Sequence, residues 1–207
     1  MIDLYSSSTP NGRKITIMLE ELEIKYNPIL ISLENKEQFS PEFSKISPTN
    51  KIPVIVDKES DQIIFESGAI LLYLAKKYNK FLYEKDYWNV VQWLFFQMAY
   101  VGPMLGQAHQ YLFYNKGKSK FAEEKSRGYS NNVYEILNKK LSKNDYISND
   151  YSIADIAVWP WIARFERHQI NLKKYPNVLR WYSNISKRPA VIKGYNIIGD
   201  FNEIPIP

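Results

Sequence analysis

Apolar and polar positions alternate between two periods in the first third of the chain. Residues 2–5 form a short apolar run and read as a strand, followed by a polar turn over 6–10. Ile15, Met18, Leu19 and Leu22 then recur at helical spacing, with Asn11 as the expected N-cap. Residues 26–32 read as a second strand and 34–40 as a polar loop, with a short segment around 41–44. Residues 52–56 read as a third strand opened by Pro53, and 62–65 as a fourth after a charged turn. Ser67 is the expected cap of a helix over 68–78, whose Ile70, Leu71, Leu72 and Leu74 predict deep burial. The order is βαβ, then a β-hairpin, then α. A βαβ unit requires a parallel pair with a right-handed crossover, so a mixed sheet with helices against it is expected.

After about residue 79 the strand period disappears. Residues 87–111 form a long apolar and aromatic helical stretch, with Gly102-Pro103 as a kink or break. Val133, Ile136, Leu137 and Leu141 mark another helix. Ser152 can cap the next one, with Asp155 placed to reach back to the cap, and Pro160 lies inside it. Tyr175-Pro176 and Arg188-Pro189 open two more helices, and residues 200–207 have no period. Two domains are expected: an α/β domain over 1–79 and an all-helical domain over 87–200.

The composition narrows the chemistry. The chain has no cysteine, which excludes a disulfide framework, a protein thiolate and a Cys-ligated metal site. Any thiol chemistry must use a thiol carried by the substrate. The net charge of +5 comes from lysines spread among glutamates, not from a basic stripe. It suits attraction of small anions into a cleft, and no nucleic-acid partner is expected. No signal peptide or bilayer-long apolar run is visible, so a cytoplasmic protein without membrane insertion is expected. Gly117-Lys118-Ser119 is not a P-loop, because Leu112 stands at the earlier required glycine. His109 and His168 lack a ligand pattern around them, so no metal site is expected. Trp159, Trp161 and Trp181 read as core.

Three short constellations can bind or activate a ligand. A cis Ile52–Pro53 bond would turn the backbone polar groups of Ile52 outward, where an extended peptide can pair as an added strand does. Glu66-Ser67-Gly68 is either a plain helix start or a recogniser of an amino-acid head group: helix N–H groups take the carboxylate and Glu66 the ammonium. Thr9-Pro10-Asn11-Gly12 is either a turn with a cap or a place where a hydroxyl and an amide N–H donate to a substrate sulfur. The electropositive helix end there would favour the thiolate, which is the nucleophile.

Together with the stretch from Tyr5 to Lys14, Gln38-Phe39, Pro41-Glu42-Phe43, Ile46-Ser47-Pro48, Asn50-Lys51-Ile52-Pro53 and Phe65-Glu66-Ser67-Gly68-Ala69-Ile70, these residues resemble the N-terminal domain of glutathione transferases. Ser152-Ile153-Ala154-Asp155-Ile156-Ala157 resembles the capping motif of their helical domain. Thr9-Pro10-Asn11-Gly12 and Gly102-Pro103-Met104-Leu105-Gly106-Gln107 are most similar to the bacterial nu-class group, whose members act as glutathione-dependent disulfide-bond oxidoreductases. The resemblance spans nearly the whole chain. It implies a thioredoxin-like α/β domain followed by an all-α domain, with glutathione as cosubstrate. It places Thr9 and Asn11 near the glutathione sulfur, Gln38 and Lys51 at the glycyl end, Ile52 and Pro53 beside the cysteinyl unit, and Glu66 and Ser67 at the γ-glutamyl head.

A homodimer is further implied, with a small electrophile or a disulfide as second substrate. Relatives reach the ligand with an arginine from the partner subunit. Lys125 holds that place here, with Arg127 two residues on. Tyr5 stands where other classes keep an activating tyrosine, and strand packing is expected for it instead. Conjugation of a carbon electrophile and non-catalytic glutathione binding remain as alternative functions.

Overall fold

The computed structural model describes residues 1–198 and 203–207. These residues form two compact units. The first contains Met1–Lys80, joined by a helix that follows the second unit in the chain. The expected domain end at residue 200, and the start of the aperiodic tail, lie outside the described residues.

In the first unit, strand β1 (Ile2–Ser6) leads into helix α1 (Pro10–Glu21) and strand β2 (Tyr26–Leu30). A single turn of 3-10 helix (Glu37–Phe39) and the short helix α2 (Pro41–Ser44) follow. The hairpin β3 (Val54–Asp57) and β4 (Gln62–Phe65) then hands over to helix α3 (Ser67–Tyr78). The sheet order is β2-β1-β3-β4, with β1 parallel to β2 and both other pairs antiparallel, as the βαβ-plus-hairpin reading requires. Ile2, Leu4, Ile15, Met18, Leu19, Val54, Ile55, Ile70, Leu71 and Leu74 are buried and form its core.

The second unit is helical. It contains α4 (Tyr87–Phe96), α5 (Gly102–Ala108), α6 (Lys120–Lys140), α7 (Ile153–Ile162) and α8 (Pro176–Ile185). The interruption expected at Gly102-Pro103 takes a milder form than a break. A turn of π-helix over Gln97–Val101 precedes it, and Val101 and Gly102 keep right-handed helical dihedrals, so the helical run passes through Pro103 into α5 without a break. The capping box at α7 is complete: Ser152 Oγ and the Asp155 carboxylate each satisfy N–H groups at the helix start. Trp159, Trp161 and Trp181 are core residues, and Trp159 stacks on Tyr182 with 5.3 Å between ring centroids.

Helix α9 (Pro189–Tyr195) packs on α1 in the first unit. A Cβ on Gly194 would stand 2.7 Å from Ile17 Cα, so only glycine lets the two backbones approach this closely. Arg13 Nε donates to Tyr195 O at 3.0 Å, and its guanidinium lies 3.6 Å from the Tyr195 ring centroid.

Candidate glutathione site

Sheet register gathers the expected site residues at one end of the first unit. Tyr5 pairs with Val54 and Val54 with Phe65. The chain leaving β1 toward Thr9, the chain entering β3 from Ile52, and the chain leaving β4 at Glu66 therefore meet at the same sheet end. Ser6 pairs in parallel with Leu30, so the segment carrying Gln38 also leaves from that end. Phe43, Ile31 and Val54 form a small core there, with Tyr5, Ile46 and Ile52 packed against it. Tyr5 thus lies in strand packing, its ring centroid 6.3 Å from that of Phe43.

At the β1–α1 junction the cap is Thr9, not Asn11. Thr9 is extended, with φ −105° and ψ 163°, and its Oγ1 accepts the Gly12 N–H at 3.1 Å. Pro10 fixes the first helical φ, which moves the helix start two residues earlier than expected. Asn11 is consequently helical and half-buried. The Thr9 hydroxyl oxygen holds a backbone N–H while its proton remains a donor. Gly12 is required for this turn, since a Cβ would stand 2.2 Å from Ser7 O and 2.4 Å from Ser6 Oγ.

Hydrogen bonds order the loops between β2 and β3. Glu37 Oε2 accepts the Ser32 N–H at 2.7 Å, which holds the turn carrying Gln38. Gln38 Oε1 is buried without a hydrogen-bond partner. Buried Ser47 clamps Lys51 on both sides: its Oγ donates to Lys51 O at 2.8 Å and accepts the Lys51 N–H at 3.0 Å. The Lys51 side chain is exposed, and the Ile52–Pro53 bond is cis.

The β4–α3 junction also differs from the sequence expectation. Glu66, not Ser67, stands at the N-cap position, with φ 68° and no side-chain cap bond. Ser67 is the first helical residue and is buried. Its Oγ accepts from Lys14 Nζ at 3.2 Å. Burial pushes the Lys14 ammonium well below the usual lysine range, and the Glu66 charge pulls it back up. Sequence reading did not single out Lys14, although its position four residues before Met18 puts a charge on the apolar stripe of α1.

Lys125 belongs to the second unit, on α6. It is exposed, its Nζ 5.9 Å from the Phe121 ring and 5.7 Å from the Tyr129 ring. Arg127 is engaged within its own unit, donating to Glu123 Oε2 at 3.2 Å and to Gln169 Oε1 at 3.0 Å. His109 and His168 meet inside this unit, Nε2 to Nε2 at 3.0 Å, and Tyr134 Oη lies 2.9 Å from His168 Nδ1.

The family model "Glutathione S-transferase, N-terminal domain" matches residues 2–76, and "Glutathione S-transferase, C-terminal domain" matches residues 97–189. The chain belongs to the glutathione S-transferase family. It is 44% identical over 198 residues to the Escherichia coli (strain K12) disulfide-bond oxidoreductase YfcG, covering 92% of each chain. Among solved structures it is similar to a Pseudomonas putida glutathione transferase with one glutathione disulfide bound per subunit. That likeness has a TM-score of 0.91 at 37% identity, over 96% of this chain and 92% of the other. A Burkholderia graminis glutathione transferase with two glutathione molecules bound per subunit gives a TM-score of 0.89 at 34% identity, over 95% and 88%. The transferase fold expected from the sequence is the fold observed.

Proposed function

We propose that this chain is a glutathione-dependent disulfide-bond oxidoreductase that uses glutathione thiolate as its nucleophile. The observation that carries this reading is the absence of cysteine from a chain 44% identical to a disulfide-bond oxidoreductase. Without a protein thiol, exchange must run between substrate sulfurs. One glutathione thiolate attacks a sulfur of the substrate disulfide, forming a mixed disulfide and expelling a thiolate that takes up a proton. A second glutathione thiolate attacks the glutathione sulfur of that mixed disulfide and releases the other substrate thiol. Two glutathione thiols are oxidised to one disulfide, and one substrate disulfide is reduced to two thiols. Solved relatives holding glutathione disulfide or two glutathione molecules per subunit support this stoichiometry.

In this reading the first unit carries the reacting glutathione at the sheet end described above. The Thr9 hydroxyl and Asn11 amide donate to its sulfur, beside the positive end of the 12-residue helix α1, and so favour the thiolate. Gln38 and Lys51 meet the glycyl carboxylate. The Ile52 backbone pairs with the cysteinyl unit in front of Pro53. Ser67 and the first turn of α3 take the γ-glutamyl carboxylate, and Glu66 its ammonium. A homodimer in the cytoplasm is part of the proposal, with Lys125 as the cation offered to the partner's ligand. Its exposure beside an engaged Arg127 supports that choice. Lysine supplies a point charge there, without the two-pronged geometry of arginine. No helix of the described residues is long and apolar enough to cross a membrane.

The test is turnover of a small aliphatic disulfide with reduced glutathione, beside an aryl halide. Fast disulfide reduction with negligible aryl conjugation is expected. The reverse result would make the chain a conjugating transferase, and binding without either turnover would make it a glutathione-binding module. Asn11→Ala is expected to slow disulfide turnover by about 10²-fold while changing glutathione affinity far less. Unchanged turnover would remove Asn11 from the mechanism.

A further inference from the structure

Helix α6 ends on Lys139 and Lys140, and the chain then turns through Leu141, Ser142 and Lys143. At this end of the helical unit lies an open cavity of about 470 Å³, within the size range of small-molecule sites. Trp93 from α4 and Ile136 from α6, both half-buried, give it an apolar wall. Lys139, Lys140 and Lys143 stand around it, and no acidic side chain among the described residues lines it. Lysines at a helix C-terminus commonly serve the last carbonyls. Here other groups do so. Ser142 Oγ donates to Lys139 O at 2.8 Å, Asn144 Nδ2 to Lys140 O at 3.4 Å, and Arg180 Nη2 to Leu141 O at 2.6 Å. Among the described residues, none of the three lysines forms an ion pair. Asp145, two residues after Lys143, is paired with Arg180. Buried Asp86, whose charge reaches Lys140, is held by the Ser148 hydroxyl and the Asn149 N–H. Lys140 Nζ instead lies 5.3 Å from the Trp93 ring centroid. Three like charges thus crowd one apolar wall, and their repulsion is relieved by an anion of several charges.

We propose that this cavity binds a nucleotide-type ligand, an aromatic ring carrying a chain of phosphates. None of its residues is among those assigned to glutathione. The ring lies against Trp93 and Ile136 and covers their apolar surface. The phosphates meet the three ammonium groups, each a point charge that suits phosphate oxygens without demanding one geometry. Lys140 leaves the indole for a phosphate, because a charge-assisted hydrogen bond is stronger than an exposed cation–π contact. A bare ring leaves the lysines uncompensated, and a bare polyphosphate leaves the apolar wall wet, so the site needs both halves of the ligand.

The test is calorimetric titration of the full chain with ATP, tripolyphosphate and adenosine, with glutathione present, no divalent metal and salt at about 0.15 M. ATP is expected to bind at least about tenfold more tightly than either fragment. The double variant Lys139→Ala/Lys143→Ala should weaken ATP binding at least about tenfold. Trp93→Leu should weaken ATP at least about fivefold and tripolyphosphate less than about twofold. A wild type that does not bind ATP overturns the proposal. ATP binding that survives the lysine double variant also overturns it, because the nucleotide would then sit elsewhere. Tripolyphosphate binding as tight as that of ATP would reduce the cavity to a charged patch and overturn it as well. Should Trp93→Leu fail to fold, the Trp93 indole N–H resonance in wild type decides the question. That signal should move on adding ATP and stay in place on adding tripolyphosphate, and a signal unmoved by ATP overturns the proposal.

Discussion

Trp181 Nε1 donates to Asp155 Oδ1 at 2.8 Å in the interior of the helical unit. The same oxygen accepts the Ile147 N–H at 2.9 Å, while Asp155 Oδ2 accepts the Ser152 N–H at 3.1 Å and the Ser152 hydroxyl at 3.2 Å. One carboxylate thus ties the start of α7 to the preceding loop and to α8. Burial pushes its pKa up to about 6, although all four donors pull the other way. The folded state therefore binds the Asp155 proton more readily than the unfolded chain. That contribution is complete below about pH 4 and is lost as pH rises through about 6. Removing the carboxylate strands several buried N–H donors. Asp155→Ala is expected to cost roughly 3–5 kcal/mol in urea unfolding at pH 7. A loss below about 1 kcal/mol would show that these donors find other partners.

Gly194→Ala tests the junction of α9 with α1. The added Cβ meets Ile17 Cα at 2.7 Å and Ile17 N at 2.8 Å, and backbone atoms cannot swing aside as a side-chain tip can. Helix α9 must shift, which disturbs the bonds from Arg13 to Tyr195 O and from Thr16 Oγ1 to Gly194 O. A destabilisation of about 1–3 kcal/mol is expected by chemical denaturation. Wild-type stability in this variant would mean that α9 contributes little to the first unit.

The architecture was legible because its signals are local. The strands and helices of the first unit follow from hydrophobic period, and the capping box at α7 follows from Ser152 and Asp155 at their spacing. The two misplaced caps show where local signals end. Thr9 and Asn11 are both good capping types, and the constraint from Pro10 decided between them. Ser67 has the right chemistry for a cap, but its oxygen is held by Lys14, 53 residues earlier, and Glu66 takes the cap position. No spacing rule brings His109 to His168, 59 positions apart, and none docks α9 on α1. The engagement of Arg127 was half legible: Glu123 lies one helical turn earlier, whereas Gln169 arrives through tertiary packing.

The buried histidines give the helical unit a pH dependence. Burial lowers the His109 pKa to about 4 and holds His168 well below the usual histidine range, with Arg167 and Arg164 adding to both shifts. An unfolded chain protonates both near pH 6.5. Between about 4 and 6.5 the unfolded state therefore binds more protons, so stability falls as pH drops through that window. Each histidine contributes at most about 1.4 kcal/mol per pH unit. The double variant His109→Gln/His168→Gln should show a flatter fall of unfolding free energy from pH 6.5 to 4 than wild type. Parallel curves would mean that the imidazoles titrate normally in the fold.

Glu66 stands at φ 68° and ψ 115°, where a side chain beyond glycine is strained, and no cap bond offsets the cost. Glycine reaches this conformation freely. Against that relief, glycine adds freedom to the unfolded chain, which returns part of the gain. Glu66→Gly is therefore expected to leave stability unchanged or raise it by up to about 1 kcal/mol. The same change deletes the carboxylate assigned to the γ-glutamyl ammonium and withdraws the charge that supports Lys14. Glutathione affinity should fall by at least about tenfold, read by calorimetry beside the denaturation curve. Opposite movements of stability and affinity would mean that backbone strain at Glu66 is kept for the ligand's sake. A parallel loss of both would mean that Glu66 instead holds the β4–α3 junction together, and its place in the head-group site would have to be given up.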